Sequence, residues 1–417
     1  MVIAGIVIVV ATFIAIIKQF ETRLVLLLSG LLMCFIGGQL GAGTTAFVKE
    51  LTNPGLVPTI CTVLGFSYVM EYTKCTEHMV YFISAGLKKM TKIIIPGAVI
   101  ITFLINIALP TAAGCAAAVG ALLIPALIRS GVHPAMAGSA IFLGTWGSAL
   151  SPGLMFNPQV AQLAGEDVMT VIASFSMQAI IGIVVAAILL NIVAIVKKEH
   201  TGYVLKDANE EEGKEVKVNY LYAIIPIIPL VLLVLGSKQV AVIPEISVPV
   251  SMLIGTAIGI IAVRPNVTDA VKKFFRGTGD GMCDVVGLMA AAACFTAGMQ
   301  YIGLTSALID SMKNSQQIAQ IGAAFGPFLL AVISGSGNAA ALAFNGAVTP
   351  HAADFGYGIM QLGSMAQLGA GIGRSMSPVA GAGIIIAGLA GINPMEMAKR
   401  NAVPCIIATV VIMLLLL

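Results

Sequence analysis

The chain has 417 residues, of which 58% are apolar and 10% are charged, and its net charge is +3. Soluble domains carry about 25% charged residues, so this composition excludes a soluble enzyme and a nucleic-acid binder. A helix needs about 20 apolar residues to cross the hydrocarbon core of a bilayer, and the sequence contains about ten such stretches. We therefore predict an all-α integral membrane protein with about ten transmembrane spans in a lipid bilayer.

The first half of the chain, residues 1–196, sets out an order of elements. Its pattern predicts spans at 2–17, 24–42 and 54–73, a surface helix at 76–90, a two-armed hairpin at 92–129, a broken span at 135–165 and a last span at 168–196. Clusters of glycine, proline and serine mark the hairpin centre at 109–114 and the break at 144–153. A polar linker at 197–219 follows.

The second half, residues 220–417, repeats that order. It predicts spans at 220–237, 248–264 and 281–302, a surface helix at 304–317, a hairpin at 318–349 centred on 334–338, a broken span at 358–391 interrupted at 369–378, and a last span at 402–417. Short matches support the duplication: Ser151-Pro152, for example, recurs as Ser377-Pro378. The chain is therefore predicted to contain two repeats of one unit.

The distribution of Lys and Arg predicts the orientation, because these residues favour the cytoplasmic side. If the N-terminus is outside and both hairpins are re-entrant, 18 of the 22 basic residues are cytoplasmic. Lys49, Lys238 and Lys313 fall outside, and Arg374 falls within the membrane. Each half then has an odd number of spans, so the repeats are inverted. Both chain ends are predicted to be periplasmic or extracellular and the 197–219 linker cytoplasmic.

An inverted repeat with two re-entrant hairpins and two broken helices is typical of secondary transporters, whose substrate site lies where these elements meet. Irregular backbone at that depth survives only where protein or a water-filled cavity satisfies its polar groups. The glycine, proline and serine clusters therefore predict the site. The alternative is that they are helix-packing glycines or ordinary kinks.

Arg374 is the strongest single candidate for binding an anionic substrate. It lies in the second broken span, and its counterpart in the first repeat is Ser148, so packing of the repeat does not require a cation there. A charge at the membrane centre costs about 2.5–3.5 kcal/mol on insertion scales. Arginine offers a planar fork that fits a carboxylate. The alternative is a boundary arginine that reaches the headgroups.

Small and polar residues at the hairpin centres and breaks complete the predicted substrate site, because hydroxyls, amides and exposed backbone N–H groups form a neutral cradle for a carboxylate. These candidates are Asn106, Thr111, Ala113, Gly114, Thr145, Ser148, Ser151, Ser334, Ser336, Gly337, Asn338, Ser375 and Ser377. For any one hydroxyl, packing between helices is the alternative.

Three carboxylates are candidates for proton coupling: Glu71, Asp280 and Asp284. Glu71 and Asp284 are predicted near the cytoplasmic ends of repeat-related spans, where a solvated carboxylate is the alternative. The four histidines form no metal-ligand spacing, and no metal or other cofactor is predicted beyond a coupling ion, H⁺ or Na⁺.

Two motifs suggest enzymes but lack the required context. Gly277-Thr278-Gly279-Asp280 has the G-x-G-D pattern of intramembrane aspartyl proteases, yet no earlier span supplies the second aspartate that such an enzyme needs. The glycines at 369–373 resemble part of a dinucleotide loop without a surrounding β-α-β unit. We predict that the chain is not an enzyme, with the protease as the remaining alternative from another class.

The chain resembles the ion transporter superfamily and, within it, the anaerobic C4-dicarboxylate transporter (DcuC) family. The resemblance rests on the segments at 106–114, 334–338 and 371–378 and extends over the whole chain. It implies a bacterial inner-membrane carrier of succinate, fumarate or malate that works as a homodimer with an elevator-type motion.

Sodium symporters of this superfamily carry Ser-Asn-Thr at both hairpin tips. Here the tips read Pro110-Thr111-Ala112 and Gly337-Asn338-Ala339. Proton-linked transport or exchange by alternating access is therefore predicted. A carrier of another carboxylate, an amino acid or an ion of the same superfamily remains the alternative.

Overall fold

The computed structural model describes residues 1–18, 20–84, 93–154, 156–204, 218–238, 240–307 and 316–417. Within these ranges the chain is helical and contains no β-strand. The helices are Val2–Ile17, Thr22–Ile36, Leu40–Leu51, Val57–Tyr72, Cys75–Ser84, Ile94–Ala108, Ala112–Arg129, Pro134–Gly144, Phe156–Ala164, Val168–Val196, Tyr220–Ile224, Ile228–Leu235, Val248–Val263, Val267–Asp280, Gly287–Tyr301, Gln316–Ser334, Gly337–Ala347, Ile359–Arg374, Gly381–Ala390 and Pro394–Leu416. Short 3₁₀ or π segments are Gly147–Leu150, Ile225–Ile227, Gly281–Val286 and Thr349–Phe355.

Five of the described helices are long and apolar enough to cross a membrane. They are Ala112–Arg129, Val168–Val196, Val267–Tyr301, Gln317–Ser334 and Pro394–Leu416. Shorter apolar helices accompany them, and several expose large aliphatic side chains, such as Ile3 and Val7 in the first helix. The all-helical, membrane-type architecture predicted from composition is confirmed.

Four elements give the molecule its central architecture. Hairpin 1 consists of Ile94–Ala108 and Ala112–Arg129, and hairpin 2 of Gln316–Ser334 and Gly337–Ala347. Broken helix 1 consists of Pro134–Gly144 and Phe156–Ala164, and broken helix 2 of Ile359–Arg374 and Gly381–Ala390. Each hairpin packs along the broken helix that follows it. The helices turn or stop at the predicted glycine and proline clusters. Pro110 lacks the N–H that a helix hydrogen bond needs, and glycines adopt backbone conformations that other residues disfavour.

Helix packing divides the molecule into two bundles. The hairpin bundle (residues 94–196 and 316–416) contains the four central elements together with Val168–Val196 and Pro394–Leu416, which pack on each other. The frame bundle comprises residues 2–72 and 220–301. The second arm of hairpin 2 packs against Gly287–Tyr301 of the frame bundle and so joins the two.

Corresponding frame helices have corresponding neighbours. Val57–Tyr72 packs against Val248–Val263 and Val267–Asp280. Gly287–Tyr301, its counterpart in the predicted repeat, packs against Thr22–Ile36 and Leu40–Leu51. The two frame halves therefore exchange equivalent contacts.

Several predicted spans differ from the observed helices: the span predicted at 220–237 is interrupted by the 3₁₀ turn Ile225–Ile227, and the last span, predicted at 402–417, begins at Pro394. The span predicted at 281–302 belongs to a continuous 35-residue helix, Val267–Tyr301, so Asp284 lies at the middle of a helix and not near its end. The charges of its first half lowered the hydropathy and hid that half from the sequence pattern. The span predicted at 24–42 ends at Ile36, because Gly38 adopts φ +74° and turns the chain into a separate helix, Leu40–Leu51.

Some predictions concern residues outside the described ranges. They are parts of the surface helices at 76–90 and 304–317, most of the 197–219 linker, and Lys88, Lys89, Lys92, Lys206, Lys214, Lys217 and Lys313.

Candidate functional site

Both hairpin tips and both helix breaks meet around one cavity of about 310 Å³. Its lining comprises Ile60, Leu64, Pro110, Thr111, Ala112, Ala113, Gly153, Leu154, Val285, Gly335, Ser336, Gly337, Asn338, Arg374, Gly381 and Ala382. Residues more than 200 positions apart in the sequence thus contribute to one site. This cavity is the candidate functional site.

The tip of hairpin 1 is held by a buried amide. Asn106 Nδ2 donates to the Leu109 carbonyl at 2.8 Å, and Asn106 Oδ1 accepts from the Ser148 N–H at 2.7 Å. This side chain therefore fixes the turn and ties it to the break of broken helix 1. The second arm starts after Thr111, whose side chain makes no capping bond. The N–H groups of its first turn have no hydrogen-bond partner within the helix, and this first turn lies at the cavity.

The tip of hairpin 2 is a serine–glycine turn. The Ser336 hydroxyl accepts from the Ala339 N–H at 3.2 Å and caps the second arm, while the Ser336 N–H donates to Ser334 Oγ at 3.2 Å. Gly335 adopts φ +74°, and a Cβ there would meet the backbone of Val379 at 2.9 Å. Glycine is therefore required at this position both by conformation and by the closeness of broken helix 2.

Arg374 is the last residue of the first arm of broken helix 2, and it lines the cavity. Its Nη2 donates to the Thr145 carbonyl at 2.6 Å, a group freed where the first arm of broken helix 1 ends. Its Nε is buried without a hydrogen-bond partner. No carboxylate of the described residues lies within 4.0 Å of this guanidinium. The cation is thus anchored by one nitrogen and left without a counter-charge.

The cavity is positive on one side and apolar on the other. Arg374 and the N-termini of two helices, Ala112–Arg129 and Gly337–Ala347, converge on it, and such termini favour anions. Of the described residues of the frame bundle, only Ile60, Leu64 and Val285 line the cavity. Every polar side chain that the described residues bring to the lining therefore belongs to the hairpin bundle. The arrangement can hold a small anion against an apolar wall.

The predicted site residues fall into two groups. Those that line the cavity are Thr111, Ala113, Ser336, Gly337, Asn338 and Arg374. Those that are absent from its lining are Asn106, Gly114, Thr145, Ser148, Ser151, Ser334, Ser375 and Ser377. Most of the second group lie directly behind the first, in the hydrogen-bonded support of the tips and breaks.

The supporting role is specific for several of these residues. Thr145 Oγ1 donates to the Phe142 carbonyl, and the hydrogen bond between Thr145 and Arg374 is made by the Thr145 backbone carbonyl. The Asn401 amide donates to the Ser375 carbonyl at 2.9 Å, and Ser377 Oγ accepts from the Val379 N–H. A Cβ on Gly114 would meet the Thr111 hydroxyl, so this glycine leaves room for the tip.

Sequence reasoning missed three kinds of lining residue. Gly335 lines the cavity but was not among the predicted site residues, although its neighbours Ser334 and Ser336 were. A glycine in the turn between two helix arms is a signal that could have identified it. Gly153 is the last residue of the first predicted break, and Gly381 lies three residues beyond the end of the second. The apolar wall carries no local signal, since Ile60 and Val285 meet only through tertiary packing.

The three predicted proton carriers are absent from the cavity lining. Asp280 Oδ2 accepts from the Tyr68 hydroxyl at 2.6 Å, and Glu71 is exposed. Asp284 pairs with Arg23 at 3.1 Å and precedes Val285 of the apolar wall. Among the described residues, no three His, Cys, Asp or Glu side chains are grouped as metal ligands.

A second cavity, of about 360 Å³, lies where broken helix 1 meets the frame bundle. Lys238 pairs there with Asp167 at 2.9 Å, and Asn53 donates to Gln162 at 2.9 Å. Partial burial opposes ionisation of Asp167, but hydrogen bonds from Thr170 and Lys238 outweigh it and lower the pKa of Asp167 to about 2. This polar contact links the two bundles away from Arg374.

Comparison with known proteins identifies the family. The family described as the C4-dicarboxylate anaerobic carrier, DcuC, matches residues 2–417. The chain is 38% identical over 278 residues to an uncharacterized transporter of Haemophilus influenzae, covering 64% of this chain and all of that one. It is 26% identical to the anaerobic C4-dicarboxylate transporter DcuC of Escherichia coli K12, covering 98% of this chain and 94% of the relative.

A solved structure shows the same fold. The Alcanivorax borkumensis YdaH transporter matches with a TM-score of 0.62 at 14% identity, covering 89% of this chain and 87% of that one. Because the family and these relatives are transporters, the predictions of a multi-pass membrane protein and of a protein that is not an enzyme are confirmed. The chain belongs to the DcuC family of anaerobic C4-dicarboxylate carriers.

Proposed function

We propose that the protein is a secondary carrier of C4-dicarboxylates such as succinate, fumarate and malate, which bind in the 310 Å³ cavity. The observation that supports this most directly is Arg374, a cavity-lining cation with no carboxylate partner among the described residues. A charge in a membrane protein is normally paired. A substrate carboxylate would supply the missing partner, with charge-assisted hydrogen bonds worth about 1.5–3 kcal/mol.

The second carboxylate would be bound by neutral groups. The N–H groups at the start of Ala112–Arg129 and Gly337–Ala347, with the side chains of Thr111, Ser336 and Asn338, are the available donors. Helix N-termini stabilise an anion by about 0.3–1 kcal/mol each. The substrate would therefore bind with one end fixed by Arg374 and the other by the tips.

The distribution of polar groups supports an elevator-type alternating access. Among the described residues, all polar side chains of the lining belong to the hairpin bundle, and the frame bundle presents Ile60, Leu64 and Val285. A bundle that holds all the polar contacts can carry its substrate past an apolar wall without breaking them. The hairpin bundle would be the moving part.

Two observations support the inverted repeat and its orientation. The halves of the frame bundle exchange equivalent contacts. Polar contacts between distant segments join residues predicted on the same side of the membrane: Arg400 with Glu199 inside, and Lys238 with Asp167 outside.

We infer re-entrant hairpins, extracytoplasmic chain ends, an inner-membrane location and a homodimer. Proton-linked transport or exchange remains our proposal for coupling, with Glu71, Asp280 and Asp284 as candidates.

Counterflow in proteoliposomes tests the proposal. Vesicles loaded with unlabelled succinate should accumulate labelled succinate, and fumarate or malate outside should compete. Imposing sodium and pH gradients separately then identifies the coupling ion. Arg374→Met vesicles are the matched control for leakage. Absence of counterflow with all three dicarboxylates would contradict the proposed substrate class, and competition by another carboxylate would identify the alternative.

A further inference from the structure

The long frame helix Val267–Tyr301 is interrupted near its middle by a π turn, Gly281–Val286. A π turn is wider than a turn of α-helix, is rare in proteins and is frequent at functional sites. Val285 lies in this turn, is half-buried and lines the 310 Å³ cavity. Of the described residues in 220–301, Val285 is the one that lines the cavity, and it stands on irregular backbone.

The π turn marks the point at which the long helix changes its packing partner. Val267–Asp280 packs on Val57–Tyr72, whereas Gly287–Tyr301 packs on Thr22–Ile36. Each residue of an α-helix advances the chain by about 100° around the axis, so one extra residue in a turn rotates the following half by about that angle. The conformation of the turn therefore decides in which direction its side chains point.

The packing face of each half is fixed by a glycine. A Cβ on Gly277 would lie 2.5 Å from the Leu64 carbonyl oxygen, and a Cβ on Gly298 would lie 2.6 Å from the Gly30 carbonyl oxygen. Contacts this close leave neither half free to rotate. A change in the π turn would therefore be confined to the turn itself.

The π turn also completes the apolar wall of the cavity. Gly281, the first residue of the turn, is buried, and a Cβ there would lie 3.2 Å from Leu64 Cδ1 and 3.5 Å from the Ile60 carbonyl oxygen. Ile60 and Leu64 line the cavity together with Val285. The turn thus packs directly on the helix that supplies the rest of the wall.

Arg23, at the start of Thr22–Ile36, donates a hydrogen bond into the π turn. Its Nη1 donates to the Cys283 carbonyl at 2.9 Å and lies 3.1 Å from Asp284 Oδ1. Its Nε donates to Glu21 Oε1 at 2.5 Å, and Glu21 caps the same helix. The guanidinium is therefore anchored at a helix start and binds a backbone carbonyl of the turn.

The apolar wall faces the part of the substrate that the polar groups leave uncovered. Arg374 and the hairpin tips would bind the two carboxylates, so the carbon chain between them would lie toward Val285. A hydroxyl on that chain would lose its hydrogen bonds to water against an apolar wall, which weakens binding by about 10–100-fold. Malate carries such a hydroxyl and succinate does not.

We infer that Val285 is a specificity-determining residue of the candidate site and that Arg23 is its positioning residue, acting through the Cys283 carbonyl. Without that hydrogen bond the turn would relax toward regular α-helix, and Val285 would rotate out of the wall. The role of Val285 toward a dicarboxylate rests on the proposed function. The positioning of Val285 by Arg23 does not.

Thiol labelling of the purified protein in detergent tests the positioning role. Cys283→Ser removes the exposed native thiol and leaves the other six cysteines, which are buried. On this background a negatively charged methanethiosulfonate should modify Val285→Cys and not Val286→Cys, because Val286 is buried and absent from the lining. Absence of modification at Val285→Cys would overturn its place in the wall.

Replacement of Arg23 should then slow the modification of Val285→Cys. We expect Arg23→Met to lower the rate by about fivefold, the effect of one hydrogen bond on a conformational equilibrium. Arg23→Lys keeps a donor and should restore most of the rate. Equal rates in Arg23→Met and its parent would overturn the positioning role.

Glu21→Gln is the matched control for the ion pair. It removes the charge that pairs with Arg23, keeps an oxygen that can cap the helix, and leaves Arg23 able to reach the Cys283 carbonyl. Val285→Cys should therefore be modified at the parent rate. A loss as large as that of Arg23→Met would assign the effect to the ion pair and would reject the role of the carbonyl.

Competition in succinate counterflow tests the specificity role. Val285→Thr exchanges one methyl group for a hydroxyl, and the preference for malate relative to succinate should rise by about tenfold. The ratio is measured within one protein, so it does not depend on how much of the variant folds. On the Arg23→Met background the same exchange should leave the ratio nearly unchanged. A ratio that Val285→Thr alone does not alter would overturn the specificity role.

The two readouts separate a failure of this inference from a failure of the proposed function. Labelling that depends on Arg23, in a protein without counterflow of any dicarboxylate, would retain the positioning role. It would reject the substrate class and with it the specificity assigned to Val285. Counterflow with equal labelling in Arg23→Met and its parent would retain the carrier and reject the positioning role.

Discussion

Two arginines of the hairpin bundle, Arg400 and Arg374, are enclosed in different ways. Arg400 is 5% exposed and forms a bidentate pair with Glu199 at 2.6 and 2.7 Å, while its Nη1 donates to the Glu396 carboxylate at 2.8 Å. Arg374 donates to one backbone carbonyl and has no described carboxylate within reach. The protein thus supplies complete partners for one guanidinium and leaves the other incomplete at a cavity. The difference indicates that Arg400 stabilises the fold and that Arg374 is available to bind an external anion.

Removal of Arg400 should have the largest effect on stability. Arg400→Met leaves the nearly buried Glu199 carboxylate without its cation, and breaking one partner of a buried pair costs about 3–5 kcal/mol. Thermal unfolding of the purified protein in detergent measures this loss. Exposed Lys399, which pairs with Glu396, is the matched control, and Lys399→Met should cost less than about 1 kcal/mol. Equal losses for both variants would contradict a structural role specific to Arg400.

Gly335 should be the least replaceable residue of the hairpin tips. Gly335→Ala forces a Cβ into a left-handed backbone and against the backbone of Val379, so we expect about 1–3 kcal/mol of strain and loss of succinate counterflow. Gly381→Ala is the control, because Gly381 also lines the cavity but has open space at its Cβ. Counterflow by Gly335→Ala at the wild-type rate would show that the geometry of this tip is not needed.

Replacement of Arg374 by lysine should weaken binding without removing the charge. Lysine loses the planar fork, and we expect the affinity for succinate to fall by about 1–3 kcal/mol. Trp146, the single tryptophan of the chain, follows Thr145, whose carbonyl binds Arg374, so its fluorescence should report the titration. Ser148→Ala is the control at the repeat-related position. An unchanged affinity for Arg374→Lys would exclude bidentate binding.

The ion pair between Lys238 and Asp167, which links the two bundles, should contribute least to the free energy of unfolding. Lys238 is 58% exposed, so Lys238→Gln should cost about 0.2–1 kcal/mol at pH 7. The pKa of Asp167 is lowered from 3.8 to about 2 in the folded protein, so its stabilising effect is present above pH 3.8 and is lost as the pH falls toward 2. The free energies of unfolding of the wild type and of Lys238→Gln should therefore converge as the pH is lowered across this range. A difference that grows on acidification would contradict the assignment.

The sequence predicted the architecture where local signals were strong. The hairpins and breaks were found because glycine, proline and serine interrupt apolar segments, as at Pro110 and Gly153. The first half of Val267–Tyr301 was missed because charges on one face lower the hydropathy that marks a span. Asn106 is predicted to bind substrate, and in the structure its amide donates to the Leu109 carbonyl at the tip of hairpin 1; residue type alone does not reveal this supporting contact. The apolar wall depends on contacts between distant residues such as Ile60 and Val285.

Succinate-dependent stabilisation of the wild type and of Arg374→Met tests the central claim most directly. A ligand at about 100 times its Kd stabilises the folded state by about 2.7 kcal/mol, so the wild type should show a clear rise in Tm. Arg374→Met removes an unpaired cation and should fold at least as stably without ligand. It should show no rise in Tm at the same succinate concentration. Equal stabilisation of both proteins would mean that the anion binds elsewhere and that Arg374 does not recognise it.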